Sequence, residues 1–254
     1  MKPDIPEFWH LGSYKYPAYK FQLQTLFLLC VRKSFFILEC GCGSDGGYLT
    51  KTKNITGVGL DISRANIEKS LKISKKFEKN NQSFVVGDME KMPFREDVFD
   101  LIISQDVFEH IKDKEKAVSE IAFSLKEKGK ILLSTTNAFN PSMFIDEILP
   151  KNISETIIRL LGGPQYYERS RRLNPWNLNK ILASHGIRLK KLLLTGIPPF
   201  GAPWLYVDYP NLQLPMIFYP WILFDCLTNI RSFQKFKEVM IVVAEKETVL
   251  QTCK

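Results

Sequence analysis

Apolar positions along this chain of 254 residues fall into short runs, separated by polar stretches with helical spacing. Phe35 to Glu39 (FFILE) is a continuous apolar run that ends in glycines, the pattern of a strand buried on both faces. Ile55 to Leu60, Ser83 to Val86, Leu101 to Ser104 and Lys130 to Ser134 are further strand-like runs. Between them, Ala65 to Phe77 and Lys114 to Leu125 read as helices. An apolar helix from about Tyr19 to Val31 precedes the first strand and ends on the basic pair Arg32-Lys33, a favourable placement at a helix C-terminus. Strands alternating with helices of this length predict βαβ units, and so a doubly wound, parallel α/β sheet covered on both faces.

The rhythm breaks from Pro141 to Arg172 and returns at Asn174, which suits an N-cap with Pro175 at the first helical position and Gly186 just past the end. In that helix Trp176, Leu178, Ile181 and Leu182 are predicted to face the sheet. Leu189 to Leu194 and Val239 to Ala244 bring the count to seven strands. The chain thus divides into a helical, aromatic N-terminal cap at 1–33 and one α/β domain at 34–254, with insertions at about 139–172 and 198–230.

Composition narrows the class. With 45% hydrophobic and 24% charged residues the chain is a packed globule, neither a disordered polymer nor an integral membrane protein. A net charge of +8 favours anionic surfaces without choosing among membrane, nucleic acid and acidic substrate. The five cysteines, Cys30, Cys40, Cys42, Cys226 and Cys253, are odd in number and lack CxxC spacing, so neither a disulfide framework nor a metal site is expected. The opening MKPDIPEFWH lacks the features of a signal peptide, so a cytoplasmic location is expected. Leu212 to Ile230 is apolar but interrupted by Pro215, Pro220 and Asp225, and no transmembrane segment is expected.

The candidate chemistry begins where the first strand turns into a helix, at LECGCGSDGG (38–47). Glycines there let backbone approach a ligand, and amide donors at a helix start favour an anionic group. Gly41, Gly43 and Gly46 also satisfy GxGxxG, which keeps a dinucleotide site, and with it an NAD-dependent oxidoreductase, under consideration. Asp61 closes the second strand (GVGLD), where a carboxylate is placed to accept both ribose hydroxyls of a nucleoside; its plainer role is a helix N-cap. Asp88 follows the third strand with Met89 beside it, suited to an adenine amine and ring face, or to an ordinary Gly-Asp turn.

Four segments taken together resemble the class I S-adenosylmethionine-dependent methyltransferases, in particular the small-molecule and quinone-type group: FFILECGCGSDGGYL (35–49), GVGLDIS (57–63), GDMEKMPFREDVFDLIISQDVFEHI (87–111) and SLKEKGKILLSTTN (124–137). The resemblance implies a seven-stranded sheet with its last strand antiparallel, and S-adenosylmethionine as cofactor at the strand ends. It implies further that Glu39, Gly41 and Gly43 line the methionine part, with Cys42 also in the cofactor site, Asp61 at the ribose, and Ile62 and Met89 at the adenine faces, with Asp88 at the adenine amine and Gln105 at the methionyl end. Asp45 replaces the third glycine of the family's alternating series, and Gly46-Gly47 stand ready to supply the lost freedom. Cys40 sits where an aliphatic residue is commoner.

Methyl transfer from a sulfonium is a direct displacement that alignment and desolvation drive, so a dedicated base is optional. Should the acceptor be a hydroxyl or an activated carbon, His110, on the rim after the fourth strand with Asp106 and Glu109 as polar neighbours, is the first candidate for base. His185, before Gly186, reads as structural, and His10 lies among Trp9, Tyr14, Tyr16 and Tyr19, a segment able to close over a cofactor. The fourth strand lacks the Asn/Asp-Pro-Pro-aromatic element of many base-amino methyltransferases, which disfavours nucleic acid as acceptor. Tyr166, Tyr167, Trp204, Tyr206, Tyr219 and Trp221 in the insertions suit a small-molecule or lipid-like acceptor. The apolar stretch 212–230, flanked by lysines and Arg231, reads either as core or homodimer contact or as a foot on an anionic membrane surface. Besides the enzyme, a noncatalytic cofactor-binding or membrane-peripheral protein of the same fold is the alternative.

Overall fold

A computed structural model describes residues 25–31, 36–52, 55–78, 81–139, 173–195 and 239–248, with 150, 152, 153 and 156 between them. The N-terminal cap up to residue 24 and most of both insertions, including the stretch 212–230 and the aromatic residues named for the acceptor, lie outside the described residues.

Seven strands form one sheet: β1 (Ile37–Cys40), β2 (Gly57–Asp61), β3 (Gln82–Val86), β4 (Phe99–Gln105), β5 (Leu125–Thr136), β6 (Ile187–Thr195) and β7 (Val239–Lys246). Their order is β3-β2-β1-β4-β5-β7-β6. β1 to β5 pair in parallel, and β7 runs antiparallel to both β5 and β6, so the last strand alone is reversed. This is the expected doubly wound sheet. The four helices described in full are α1 (Gly47–Lys51), α2 (Arg64–Lys76), α3 (Lys114–Ser124) and α4 (Pro175–Ser184).

The central strands are apolar throughout because both their faces are covered. Leu38, Leu60, Ile102 and Leu133 enter one core layer together with Val118 and Ile121 of α3 and Leu178 and Leu182 of α4. Ile37, Leu101, Ile103 and Leu132 enter the other, where Leu26, Phe27 and Cys30 from helical residues 25–31 meet Tyr48 and Leu49. Phe27 and Tyr48 bring their ring centroids to 4.4 Å. By its exposure β3 is the least buried of the parallel strands, as befits an edge, and Val86 at its end is exposed.

Caps fall where the side chains dictate. Asn66 N–H donates to Ser63 Oγ at 3.4 Å to start α2, Lys116 N–H to Asp113 Oδ1 at 3.0 Å to start α3, and Asn177 N–H to Asn174 Oδ1 at 2.8 Å to start α4. Gly186, at φ 70°, ends α4 in the left-handed region as expected of a glycine in that place. The stripe predicted for α4 needs one correction. Leu178 and Leu182 are buried, but Trp176 is 66% exposed and stands edge-on to Phe139 at 4.9 Å. The reason is angular: at 100° per residue, positions 176 and 178 lie about 200° apart around a helix, so they cannot share a face.

Candidate functional site

The carboxyl ends of β1, β2 and β4 meet where the strand order reverses, with β2 on one side of β1 and β4 on the other. A crevice at that switch point is where open α/β sheets hold ligands. Most residues expected to bind a cofactor lie at or just after the carboxyl ends of β1 to β4.

After β1 the chain passes through Gly41, at φ 72°, where a Cβ would stand 2.1 Å from Val107 Cγ2, so glycine is required both by conformation and by space. Gly43 differs: a Cβ there would meet only Asp45 Oδ1 at 3.9 Å, which leaves its face open to a ligand. Gly46 and Gly47 take φ 71° and 57° and carry the turn into α1, supplying the freedom that Asp45 cannot. Asp45 Oδ1 accepts from Gly47 N–H at 3.1 Å. Cys40 is fully buried and packs as a small apolar residue. Cys42 is also buried, its sulfur lying 2.9 Å from where a Gly59 Cβ would be, so its side chain packs over β2. Burial, with Glu39 nearby, raises both thiols well above the usual cysteine range.

The loop corrects one expectation. The amides at the start of α1 do not wait for an anionic ligand, because carboxylates of the chain already take them. Tyr48 N–H donates to Glu39 Oε1 at 3.0 Å and Leu49 N–H to Glu39 Oε2 at 3.1 Å, both buried. Gly41 and Cys42 donate to the Leu60 carbonyl at 2.7 and 3.1 Å, and Gly43 to Asp61 Oδ2 at 2.9 Å. Glu39, only 3% exposed, therefore fixes the loop and places a negative charge at the helix start.

Asp61 joins three segments. Besides Gly43, its Oδ1 accepts from Ser63 N–H at 2.8 Å and Asn66 Nδ2 at 3.2 Å. The N-cap of α2 is Ser63, so the plainer role of Asp61 as N-cap is not what the structure shows. Ile62, next to it, is 73% exposed. Asp88 is exposed after β3 and accepts from Glu90 N–H at 2.9 Å, an Asx turn that leaves the carboxyl on the rim. Met89 is placed otherwise: it is 5% exposed and belongs to the core layer with Leu60 and Met92. Gln105 closes β4, half-buried, its Nε2 3.5 Å from Asp106 Oδ2.

Beyond Gln105 the segment turns sharply. Asp106 takes φ 53°, Phe108–His110 form one turn of 3-10 helix, and His110 is exposed. Ser134 Oγ of β5 donates to Asp106 Oδ1 at 2.9 Å, and Asp106 N–H donates to the Ser134 carbonyl at 3.1 Å. Glu109 points inward, 7% exposed, and its Oε2 accepts from Thr135 Oγ1 at 2.9 Å. Burial first, and the charge of Asp106 next, push the Glu109 carboxyl up to about 7, against the Thr135 bond and Lys114, which favour its ionised form. Sequence reading had placed Glu109 only as a polar neighbour of His110. The signal present was an acid inside the apolar stretch VFEHI.

His185 stays structural: its Nδ1 lies 3.0 Å from the Ile181 carbonyl at the end of α4 and 3.7 Å from Glu115 Oε2. His10 lies outside the described residues. Among the described residues no three His, Cys, Asp or Glu side chains gather to hold a metal ion, and no helix is long and apolar enough to cross a membrane.

A seven-stranded sheet with its last strand reversed and a glycine loop at the switch point define a Rossmann-like α/β domain. Residues 33–161 match the profile of the methyltransferase domain, and the chain belongs to that family, the class I S-adenosylmethionine-dependent methyltransferases. The chain is 25% identical over 184 residues to the human mitochondrial ubiquinone biosynthesis O-methyltransferase, covering 70% of this chain and 48% of that one. It is 27% identical over 140 residues to a glycine/sarcosine/dimethylglycine N-methyltransferase of Actinopolyspora halophila, covering 52% and 24%. Among solved structures, the geranyl diphosphate C-methyltransferase of Streptomyces coelicolor, in complex with S-adenosylhomocysteine, superposes with a TM-score of 0.61 at 13% identity over 90% of this chain and 79% of that one, a likeness of fold. The chain spans less than half the length of the curated relatives it matches.

Proposed function

We propose that this chain transfers a methyl group from S-adenosylmethionine to a small or lipid-like acceptor, at oxygen or carbon. The observation that carries the reading is Glu39. In a dinucleotide site the helix start after the first strand receives a pyrophosphate. Here a buried carboxylate already occupies those amides, and a second anion would meet both a filled donor set and a like charge. S-adenosylmethionine has no phosphate, and its sulfonium and α-ammonium, set against one carboxylate, leave it a net cation, a charge that such a site favours. This weighs against the NAD alternative that the glycine spacing had left open.

The residues present fit the group. In this reading Asp61 would meet the ribose, Ile62 a face of the adenine, Asp88 the exocyclic amine, and Gly41, Gly43 and Gln105 the methionyl end. When bound, the cofactor supplies an electrophilic methyl carbon; the chain aligns it and excludes water. His110, exposed on the rim, is the group proposed to take a proton from a hydroxyl or carbon acceptor. The O-methyltransferase among the similar proteins supports that choice, while the N-methyltransferases, which outnumber it among the curated relatives, keep nitrogen as the competing acceptor.

The test is incubation with methyl-labelled cofactor and a fractionated cell extract. Label in a small molecule or lipid is expected, and with the acceptor in hand His110→Ala should lower turnover while leaving cofactor affinity unchanged. Label confined to protein or RNA, or no transfer by a chain that binds the cofactor, contradicts the reading.

A further inference from the structure

Two side-chain links join the same two stretches of chain. Asp106 and Glu109, three residues apart after β4, are bonded by Ser134 and Thr135, adjacent residues near the end of β5. Between the two anchored acids stands Val107, whose Cγ2 occupies the space beside Gly41 where a Cβ would lie at 2.1 Å. The rim segment is therefore held on one side by β5 and abuts the glycine loop on the other. Asp106 is left-handed at φ 53°, so the segment needs outside anchors to keep this shape.

We propose that Glu109 is a positioning residue of the methyl-donor site, holding segment 105–110 against β5 through Thr135 so that Val107 presses on Gly41 and fixes the glycine loop for the cofactor. This deepens the function proposed above and rests on it. A buried carboxyl in that role has two states. Protonated, it adds no charge beside Asp106 and the segment closes; ionised, the buried carboxylate is poorly solvated and is repelled by the charge of Asp106, itself exposed on the rim, which opposes closure. The charged groups acting on it are Asp106 of its own segment and Lys114 of α3, whose Nζ also donates to the Ile111 carbonyl at 2.7 Å. Since Glu109 titrates near neutrality, cofactor affinity should follow its proton.

The experiment is calorimetric titration with S-adenosylhomocysteine, which lacks the sulfonium charge, between about pH 6 and about pH 8.5. Affinity of the unmodified chain should fall several-fold as pH rises, with a midpoint near 7. Glu109→Gln keeps an acceptor for Thr135 and should bind with flat pH dependence near the low-pH affinity. Thr135→Val breaks the link and should weaken binding at every pH, and because it removes a donor that favours the carboxylate the midpoint of the remaining dependence should move to higher pH. Glu109→Ala should bind weakly at every pH, and His110→Ala should keep the dependence. A flat profile in the unmodified chain, an unshifted profile in both Glu109→Gln and Thr135→Val, or a dependence lost only in His110→Ala overturns the proposal. Absence of any S-adenosylhomocysteine binding would instead sink the function reading on which it rests.

Discussion

Glu109 shows how a single buried proton reaches stability. The folded chain holds it up to about 7, whereas an unperturbed carboxyl releases it near 4.5. Between those values the folded state binds more protons than the unfolded one, so stability falls as pH rises, by about 3 kcal/mol for this residue alone. Glu109→Gln should thus melt higher than the unmodified chain at about pH 8 and lose that advantage near about pH 4, as read by circular dichroism. Parallel melting curves would show that the carboxyl is not held in this way. Gly41 makes a second case. Gly41→Ala brings a methyl group into Val107 and forces a left-handed alanine, a cost of order 1–3 kcal/mol for the backbone alone. Adding Val107→Ala should relieve the 2.1 Å clash, leaving its own Cβ at 3.1 Å and the φ unchanged, and so recover only part of the melting temperature. Full recovery would mean that crowding was the whole effect. Neither residue's setting was legible in advance: the Val107 contact spans the chain from position 41 to 107, and Glu109 in sequence looks like any solvated acid beside a histidine.

At the scale of elements, much was legible because periodicity and caps are local. All seven strands and α2, α3 and α4 lie where the apolar runs placed them, with ends shifted by a few residues. β5 moved most. It was expected at Lys130 to Ser134 and runs from Leu125 to Thr136, with a register shift opposite Phe99 and Leu101. The added stretch Lys126-Glu127-Lys128 is polar and reads as loop. Long-range pairs fix it instead: Lys126 Nζ meets Asp100 Oδ1 at 3.0 Å, and Lys246 Nζ donates to the Leu125 carbonyl at 2.7 Å. The α4 cap was readable, and it makes a quantitative prediction. Asn174→Ala removes the acceptor for Asn177 N–H and should cost about 1 kcal/mol in chemical denaturation. An unchanged midpoint would mean that the cap contributes nothing. Trp176→Ser, on the exposed side, should cost less.

For the whole molecule, the order β3-β2-β1-β4-β5-β7-β6 turns distant residues into neighbours. It sets β1 between β2 and β4, so Glu39 and Gly43, Asp61, and Gln105 arrive at one crevice from positions spread over a quarter of the chain. The motifs announced that convergence, since each sits at a strand end. What they did not announce was the electrostatic character of the loop. Composition gave a basic chain, yet the switch point is ringed by Glu39, Asp61 and Asp106, and it is this local charge that separates a sulfonium cofactor from a pyrophosphate one. Calorimetric titration of the full chain with S-adenosylmethionine and, in parallel, with NAD puts that distinction to the test most directly. Saturable binding of S-adenosylmethionine, weakened about tenfold or more in Asp61→Ala, with no heat from NAD, is the predicted result. Binding of NAD with none for the sulfonium compound would contradict it.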